Sequence, residues 1–192
     1  MKKSPLPPNL SKNLESIALS ALADYDEYAE SKIASADLYE ASAKNVLIEE
    51  SLLHRVTLTG ATLPKLRLRD VRLEGCDISA ALLENCRLQR VEFVGCRLLG
   101  VQMLSTEMDD VLFTDCNLEG AIFASAKARH VRFEHSQLPN VSFEGAELEH
   151  TTFSRCDLRN TDFRNVELRN TDLRGSTLDG MQIAPEAVKG VR

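Results

Sequence analysis

Two histidines are the residues of this chain that most readily suggest chemistry. His130 and His150 stand twenty residues apart, and Glu147 and Glu149 lie close to the second of them. Imidazole nitrogens and carboxylate oxygens are common ligands of transition metals. An enzyme accessory that carries a metal is therefore one hypothesis. Two exposed histidines on a polar face explain the same pattern, and we predict no metal site.

The cysteines all occupy one kind of position. Each stands two residues before a larger apolar residue, where other parts of the chain have Ala, Val, Ser or Thr. A ladder of thiols could bind a soft metal, but Cys also serves as a small buried apolar residue. Because no histidine converges on these positions, we expect core thiols. The five residues are Cys76, Cys86, Cys96, Cys116 and Cys156.

Other signatures of catalysis do not occur in the sequence. We find no Ser–His–Asp or Cys–His arrangement, no phosphate-binding loop and no pair of carboxylates in a plausible cleft. The sequence therefore predicts a protein that is not an enzyme and has no cofactor.

A five-residue repeat organises the positions of these side chains. From Ala36 to Pro185 the chain contains thirty consecutive units without an insertion or deletion. The central residue of a unit is Leu, Phe, Ile or Met in twenty-eight of them, and Ala43 and Ala128 are the exceptions. Eight of the nine glycines stand two residues after a centre, where a turn is expected.

A period of five fits neither a helix nor a flat strand, but it fits a short strand followed by a corner. The centre and the residue two positions before it point inward, and their neighbours point outward. Four units close a square coil of twenty residues, and coils stack about 4.8 Å apart. All seven Phe residues are centres, so we expect two facing stacks of rings inside the coil.

The repeat resembles the A(D/N)LXX motif of the pentapeptide-repeat proteins. Units that match it well are Ala36-Asp37-Leu38-Tyr39-Glu40 and Cys116-Asn117-Leu118-Glu119-Gly120. The resemblance implies an all-β fold, a right-handed quadrilateral parallel β-helix, here of about 7.5 coils because there are thirty units. It also implies that the protein is not an enzyme.

The flanking segments differ from the repeat. We predict a flexible lead at residues 1–8, a capping α-helix with its connection at 9–33, the β-helix at 34–185 and a tail at 186–192. The helix rests on apolar residues at spacings of three or four, and a helical turn is expected in the tail at 185–188. The apolar residues of the predicted helix are Leu10, Leu14, Ile17, Ala21 and Tyr25.

Composition suggests where the protein works. The formal net charge is −6, no apolar run approaches the roughly 20 residues that cross a bilayer, and the N-terminus does not read as a secretory signal. We expect a cytoplasmic protein that does not contact a membrane.

Charge along the repeat bears on nucleic acid. Outward charges at twenty-residue steps change sign in blocks along the rod, as Arg67 and Arg87 are followed by Glu107, Lys127 and Glu147. Direct nucleic-acid binding is therefore not expected. One branch of the family that this chain resembles mimics DNA and inhibits or protects type II topoisomerases such as gyrase, which is the alternative function that we consider. Mimicry of DNA needs a continuous acidic face, and the sequence does not assemble one.

Outward apolar residues are the exception to a polar surface. Leu82, Leu104 and Ile122 are expected on one face, Val94 and Leu112 on the next, and Leu99 at another side. Contiguous apolar surface often marks a contact site, so these residues are the predicted patch for a protein partner that the sequence does not identify. We therefore predict a rigid scaffold for protein–protein interaction. A second contact is predicted at the C-terminal end, where two copies could pair as a homodimer through Leu173, Leu178, Met181 and Ile183.

Overall fold

The computed structural model describes residues 4–184 and Val191 of the chain. Fourteen β-strands and no helix occur among these residues. The first seven strands are β1 Glu15–Ile17, β2 Glu27–Ala29, β3 Ser31–Ala34, β4 Leu47–His54, β5 Arg67–Glu74, β6 Arg87–Val94 and β7 Glu107–Thr114. The other seven are β8 Lys127–Arg129, β9 Arg132–Glu134, β10 Glu147–Glu149, β11 Thr152–Ser154, β12 Asp162–Phe163, β13 Glu167–Arg169 and β14 Gln182–Ile183.

Strand pairing confirms the coil of twenty residues. β4 pairs with β5, β5 with β6 and β6 with β7, always parallel and always with partners twenty residues apart, as in Leu47 with Arg67. The same offset joins β2 to β4. The solenoid therefore includes residues before Ala36 and has about eight turns, as a parallel β-helix of the predicted class.

The corners also recur with the period of five. Every fifth residue from Tyr25 to Gly180 has a positive φ, including residues such as Arg90 that have a full side chain. Gly60, with φ of 68°, adopts this left-handed conformation without the steric penalty of a Cβ atom. Hydrogen bonds between successive coils hold the other corners in place, as where Asn85 N donates to Leu104 O at 2.9 Å.

The interior is filled by the two inward columns of each unit. Phe93, Phe113, Phe133 and Phe153 form one stack, with ring centroids 4.7, 4.7 and 4.9 Å apart. On the opposite side, the stack of Phe123, Phe143 and Phe163 has spacings of 5.1 Å. Rings of the two stacks meet edge to face, as for Phe143 and Phe153 at 5.7 Å and 80°. The expected pair of facing stacks is confirmed.

The predicted N-terminal capping helix is wrong. β1 is extended and pairs in parallel with β3, and Glu15 N donates to Glu30 O at 2.8 Å. The apolar residues Leu19 and Leu22, which follow β1, pack against the core. The first coil offers unpaired backbone groups at its edge, and a strand satisfies them where a helix would not.

The segment before β1 lies along the outside of the coils. Asn9 N donates to Asp70 Oδ1 at 2.9 Å, and Leu6 N donates to Asp110 Oδ1 at 3.0 Å. The two carboxylates stand at the same corner, two coils apart, so the segment runs parallel to the axis of the solenoid. Residues 1–3 of the predicted lead lie outside the described residues.

At the C-terminal end, β14 pairs with β12. Val191 forms a bridge with Thr171 and packs against the core. The helical turn predicted at 185–188 lies outside the described residues. No helix in the described part of the chain has the length and apolar character needed to cross a bilayer.

Candidate functional site

The outward apolar residues lie on three different sides of the solenoid. The side that we call the Leu104 face carries the residues that flank the centres Leu83, Met103 and Phe123. On it, Leu82, Gln102 and Ile122 form successive parallel bridges, and Leu104 and Ala124 occupy the neighbouring column. Leu82 is 40% exposed, whereas Leu104 and Ile122 are partly exposed. The structure therefore brings these three predicted residues together.

Val94 and Leu112 lie on the opposite side, not on the next one. They flank Phe93 and Phe113, whose rings stack against each other across the core from Phe123. Ten residues separate Leu83 from Phe93, which is half of a coil, so the two centres face each other. Leu112 is in register between Glu92 and Arg132, so it does not continue an apolar column. Leu99 belongs to a side between these two, and the six residues do not form one patch.

The predicted C-terminal contact differs in exposure from residue to residue. Leu173 is buried and Leu178 is 40% exposed, while Met181 and Ile183 are partly buried against the core. Leu178 is therefore the member of this group that offers most apolar surface.

Ion pairs between neighbouring coils dominate the remaining surface. Carboxylate and guanidinium groups in register meet at short distances, so alternation of charge along the rod is a property of the folded chain. The pairs are Arg69–Glu49 at 2.8 Å, Arg72–Glu92 at 2.8 Å, Arg87–Glu107 at 2.7 Å, Arg90–Asp70 at 2.6 Å and Arg129–Asp109 at 2.7 Å.

A second type of ion pair forms within single units near the C-terminal end. Arg159 and Arg164 each bind the aspartate two residues earlier, at 2.6 Å. The hydrogen bonds from Arg164 hold the pKa of Asp162 below its ordinary value. These groups are exposed to solvent, where ion pairs contribute little to stability.

Asp70 is the buried member of the corner that the N-terminal segment crosses. Burial acts to raise the pKa of Asp70, but two hydrogen bonds from Arg90 and one from Asn9 N outweigh burial and lower it. Asp70 is therefore ionised at neutral pH and ties the N-terminal segment to the coil.

The two histidines stack, and Glu149 lies near His150 as the sequence suggested, with 4.0 Å between Nε2 of His150 and Oε1 of Glu149. The rings of His130 and His150 lie 5.3 Å apart at 12°. Nδ1 of His130 lies 3.8 Å from Asp109 and 4.0 Å from Asp110. Ligand atoms of these three residues lie within 4.8 Å of one another, so they could hold a cation.

Arg129 already occupies one of those carboxylates. It donates to both oxygens of Asp109, at 3.0 and 2.7 Å. A metal ion would have to share Asp109 with this guanidinium, which supports an ion-paired cluster. Sequence reasoning missed Asp109 and Asp110 because they precede His130 by one coil and are neighbours only in space.

The cysteines are buried and unpaired, as expected of core residues. Each thiol donates a hydrogen bond to the carbonyl oxygen 23 residues earlier. Examples are Cys86 to Leu63 at 3.4 Å and Cys156 to Phe133 at 3.3 Å. Burial raises the pKa of Cys86 to about 12 and that of Cys156 to about 11. Neither thiol is therefore ionised at neutral pH, and neither can act as a nucleophile there.

Comparisons with solved structures find proteins that match most of this chain at low identity. Full-length QnrB1, a plasmid-mediated fluoroquinolone resistance protein, is 20% identical, with 91% of this chain and 96% of that chain covered and a TM-score of 0.41. HetL, a pentapeptide repeat protein involved in heterocyst differentiation regulation in the cyanobacterium Nostoc, is 18% identical, with 88% and 89% covered and a TM-score of 0.31. At these values the similarity says nothing about activity.

No curated protein matches this chain by sequence. The sequence model of the pentapeptide repeat region matches twice, over residues 66–143 and 106–183. The two matches overlap and together cover more than half of the chain. They agree with the coil of twenty residues and with the corner at every fifth residue, and the chain therefore belongs to the pentapeptide-repeat family.

Proposed function

We propose that the protein is a rigid, non-catalytic scaffold that binds a protein partner through the Leu104 face. One observation carries the proposal: Leu82, Leu104 and Ile122 are apolar and at least partly exposed in consecutive coils. Gln102 lies between Leu82 and Ile122 in their column, and polar residues also occupy that column in the coils on either side. Exposed apolar side chains that cluster on one face and are bordered by polar residues are typical of a contact site.

The filled interior supports a role without catalysis. The enclosed apolar cavity found among the described residues has a volume of about 30 Å³, far smaller than a ligand pocket. Its lining offers no polar surface that could orient a substrate. Any function of the protein is therefore best sought on its outside.

Unpaired cysteines favour the cytoplasm as the working compartment. All five thiols are free, and disulfides are rare where thiols are kept reduced. We place the scaffold there.

Two matched double variants test the Leu104 face. Leu104→Glu with Ile122→Glu should abolish capture of the partner by tagged protein in extracts of the native cell, because both changes put charge on the contact. Val94→Glu with Leu112→Glu makes the same change on the opposite side and should leave capture intact. Quantitative mass spectrometry of the captured proteins measures both. If both variants and the unchanged protein captured the same amount of partner, the Leu104 face would not be a binding site.

Mimicry of DNA at a type II topoisomerase is the competing function, and it needs a long face of negative potential. The ion pairs Arg87–Glu107 and Lys127–Glu147 interrupt such a face on one side of the rod. We therefore expect a gyrase supercoiling assay to give the same rate with and without the protein, and the same quinolone sensitivity. If the protein inhibited gyrase, or protected it from a quinolone, at a stoichiometric concentration, the function would be mimicry of DNA and not that of a scaffold.

Self-association through the C-terminal end is a separate proposal. Leu178 offers apolar surface there, next to the partly buried Met181 and Ile183. If two rods pair end to end, light scattering should give twice the mass of 21.3 kDa, and Leu178→Glu should restore the monomer. If light scattering gave the mass of a monomer at all protein concentrations, the C-terminal end would not be a dimer contact.

A further inference from the structure

Two pairs of charges on paired strands of the described residues have like signs, and the first of them consists of arginines. Arg67 and Arg87 are in register on neighbouring coils, and like charges directly opposite each other on paired strands are destabilising. Arg87 binds Glu107 on its other side, whereas the neighbour of Arg67 on its other side is Leu47. The column therefore leaves Arg67 without a carboxylate.

In the second such pair among the described strands, each charge is neutralised by a partner. Glu147 and Glu167 are also in register, but Glu147 binds Lys127 at 3.4 Å and Glu167 binds Arg169 at 2.9 Å. Each of those carboxylates thus has a cation of its own.

Lys65 adds a third positive charge beside the two arginines. It stands at the corner two residues before Arg67, and both side chains are exposed. Within residues 4–184 neither Lys65 nor Arg67 forms an ion pair. Three cations and the carboxylate of Glu107 leave a local charge of about +2 on a protein whose net charge is −6.

These groups line a surface groove of about 630 Å³. Its lining includes the corner residues Asn85 and Ser105, whose amide and hydroxyl groups can donate hydrogen bonds. The ring of Tyr25, which is 65% exposed, stands at one end. Cationic and neutral donors therefore converge on one open space, which we call the Arg67 groove.

We propose that the Arg67 groove binds a phosphate monoester dianion. Two negative charges match the local excess of positive charge, and the guanidinium fork suits the oxygens of a phosphate group. A continuous polyanion fits less well, because the column of Arg67 and Arg87 goes on to Glu107 and, after Lys127, to Glu147. The proposal does not depend on the Leu104 face.

Isothermal titration calorimetry tests the site with inorganic phosphate, a phosphoserine peptide and the same peptide without phosphate. Phosphate should bind the unchanged protein, and Arg67→Gln should weaken binding about tenfold, because one charge-assisted contact is lost. Arg55→Gln is the matched control, an exposed corner arginine with no ion pair to any described residue, and it should bind like the unchanged protein.

The arms of the titration separate the sources of the ligand. Tighter binding of the phosphopeptide than of inorganic phosphate supports a phosphorylated segment of a partner, and equal affinity supports a free phosphate ester. No binding of either probe to the unchanged protein would overturn the site. Equal binding by Arg67→Gln, or equal affinity for the peptide with and without phosphate, would also overturn it.

Arg67→Glu separates a ligand role from a structural one. A carboxylate at this position would face Arg87 and relieve the repulsion, so the Tm without phosphate should equal or exceed that of the unchanged protein. The same variant should lose the rise in Tm that phosphate gives the unchanged protein. A lower Tm in the absence of phosphate would show that the arginine serves stability and would overturn the proposal.

Discussion

The two halves of the solenoid share one backbone and differ in what fills it. From Ile33 to Leu88 the inward residues are mainly Leu, Ile and Val, and an apolar cavity of about 30 Å³ remains between them. From Phe93 to Phe163 the two stacks of rings take over, and no Phe after Phe93 lines that cavity. The register of twenty residues is the same in both halves.

The repeat of inward residues and corners determines the fold, whereas the type of the large inward residue determines how the core is packed. A coil forms where each unit directs one small and one large apolar residue inward and then turns a corner. The large residue can be Leu, Ile or Phe. Ring stacking adds close contacts between coils, at ring separations of 4.7 to 5.1 Å. We therefore expect the Phe-filled half to be more sensitive to truncation than the Leu-filled half.

Phe143→Ala should have the largest effect. Its ring is fully buried between Phe123 and Phe163, and removing it should lower the free energy of unfolding by about 3–5 kcal/mol. Glu144→Ala, at the next residue and exposed, should change it by less than about 0.5 kcal/mol. Urea unfolding measures both, and similar losses would mean that the inward register is wrong.

Leu63→Ala is the corresponding truncation of a buried side chain in the Leu-filled half. Leu63 lies on the same side as Phe143, four coils earlier, and is also buried. We expect a loss of about 2–4 kcal/mol, smaller than for Phe143→Ala because fewer atoms leave the core. If Leu63→Ala lowered the free energy of unfolding more than Phe143→Ala does, the Leu-filled half would be the more sensitive one.

The buried thiols should make stability depend on alkaline pH. Burial raises the pKa of Cys86 from 9.0 to about 12, so the folded state holds a proton that the unfolded chain loses. The stabilisation is complete below pH 9 and is lost as pH rises from 9 to about 12, by about 1 kcal/mol at pH 10. Cys86→Ala should flatten part of this dependence in unfolding curves, and an unchanged slope would mean that the thiol is not shielded.

Leu73→Phe should have the smallest effect, and of the opposite sign. Leu73 stands directly before Phe93 in its stack and lines the cavity. A ring there would extend the stack by one coil and raise the free energy of unfolding by about 0.5 kcal/mol. A loss of more than about 1 kcal/mol would show that the Leu-filled half has no room for rings.

Much of this architecture could be predicted from periodicity. The coil length, the corners and both ring stacks follow from residues at steps of five, because each position repeats the same environment. The N-terminal segment could not be predicted in this way. Leu10, Leu14 and Ile17 have helical spacing, but the open edge of the first coil pairs with an extended chain, and periodicity is silent about that edge.

The candidate sites were harder to predict because they depend on which columns become neighbours. From the sequence, Val94 and Leu112 are expected on the side next to Leu104, but a separation of ten residues is half of a coil and puts them on the opposite side. The approach of Asp109 and Asp110 to His130 depends on how side chains of neighbouring coils are oriented, which the spacing of the sequence does not give.

Photo-crosslinking from the two opposite faces can show whether a partner binds the Leu104 face. A photoreactive phenylalanine analogue in place of Leu104 or Leu112 reports what touches each face in the native cell. We expect a discrete crosslinked adduct from position 104, none from position 112, and loss of the adduct when Ile122→Glu is added. No adduct from position 104, or the same adduct from both positions, would contradict a scaffold that works through the Leu104 face.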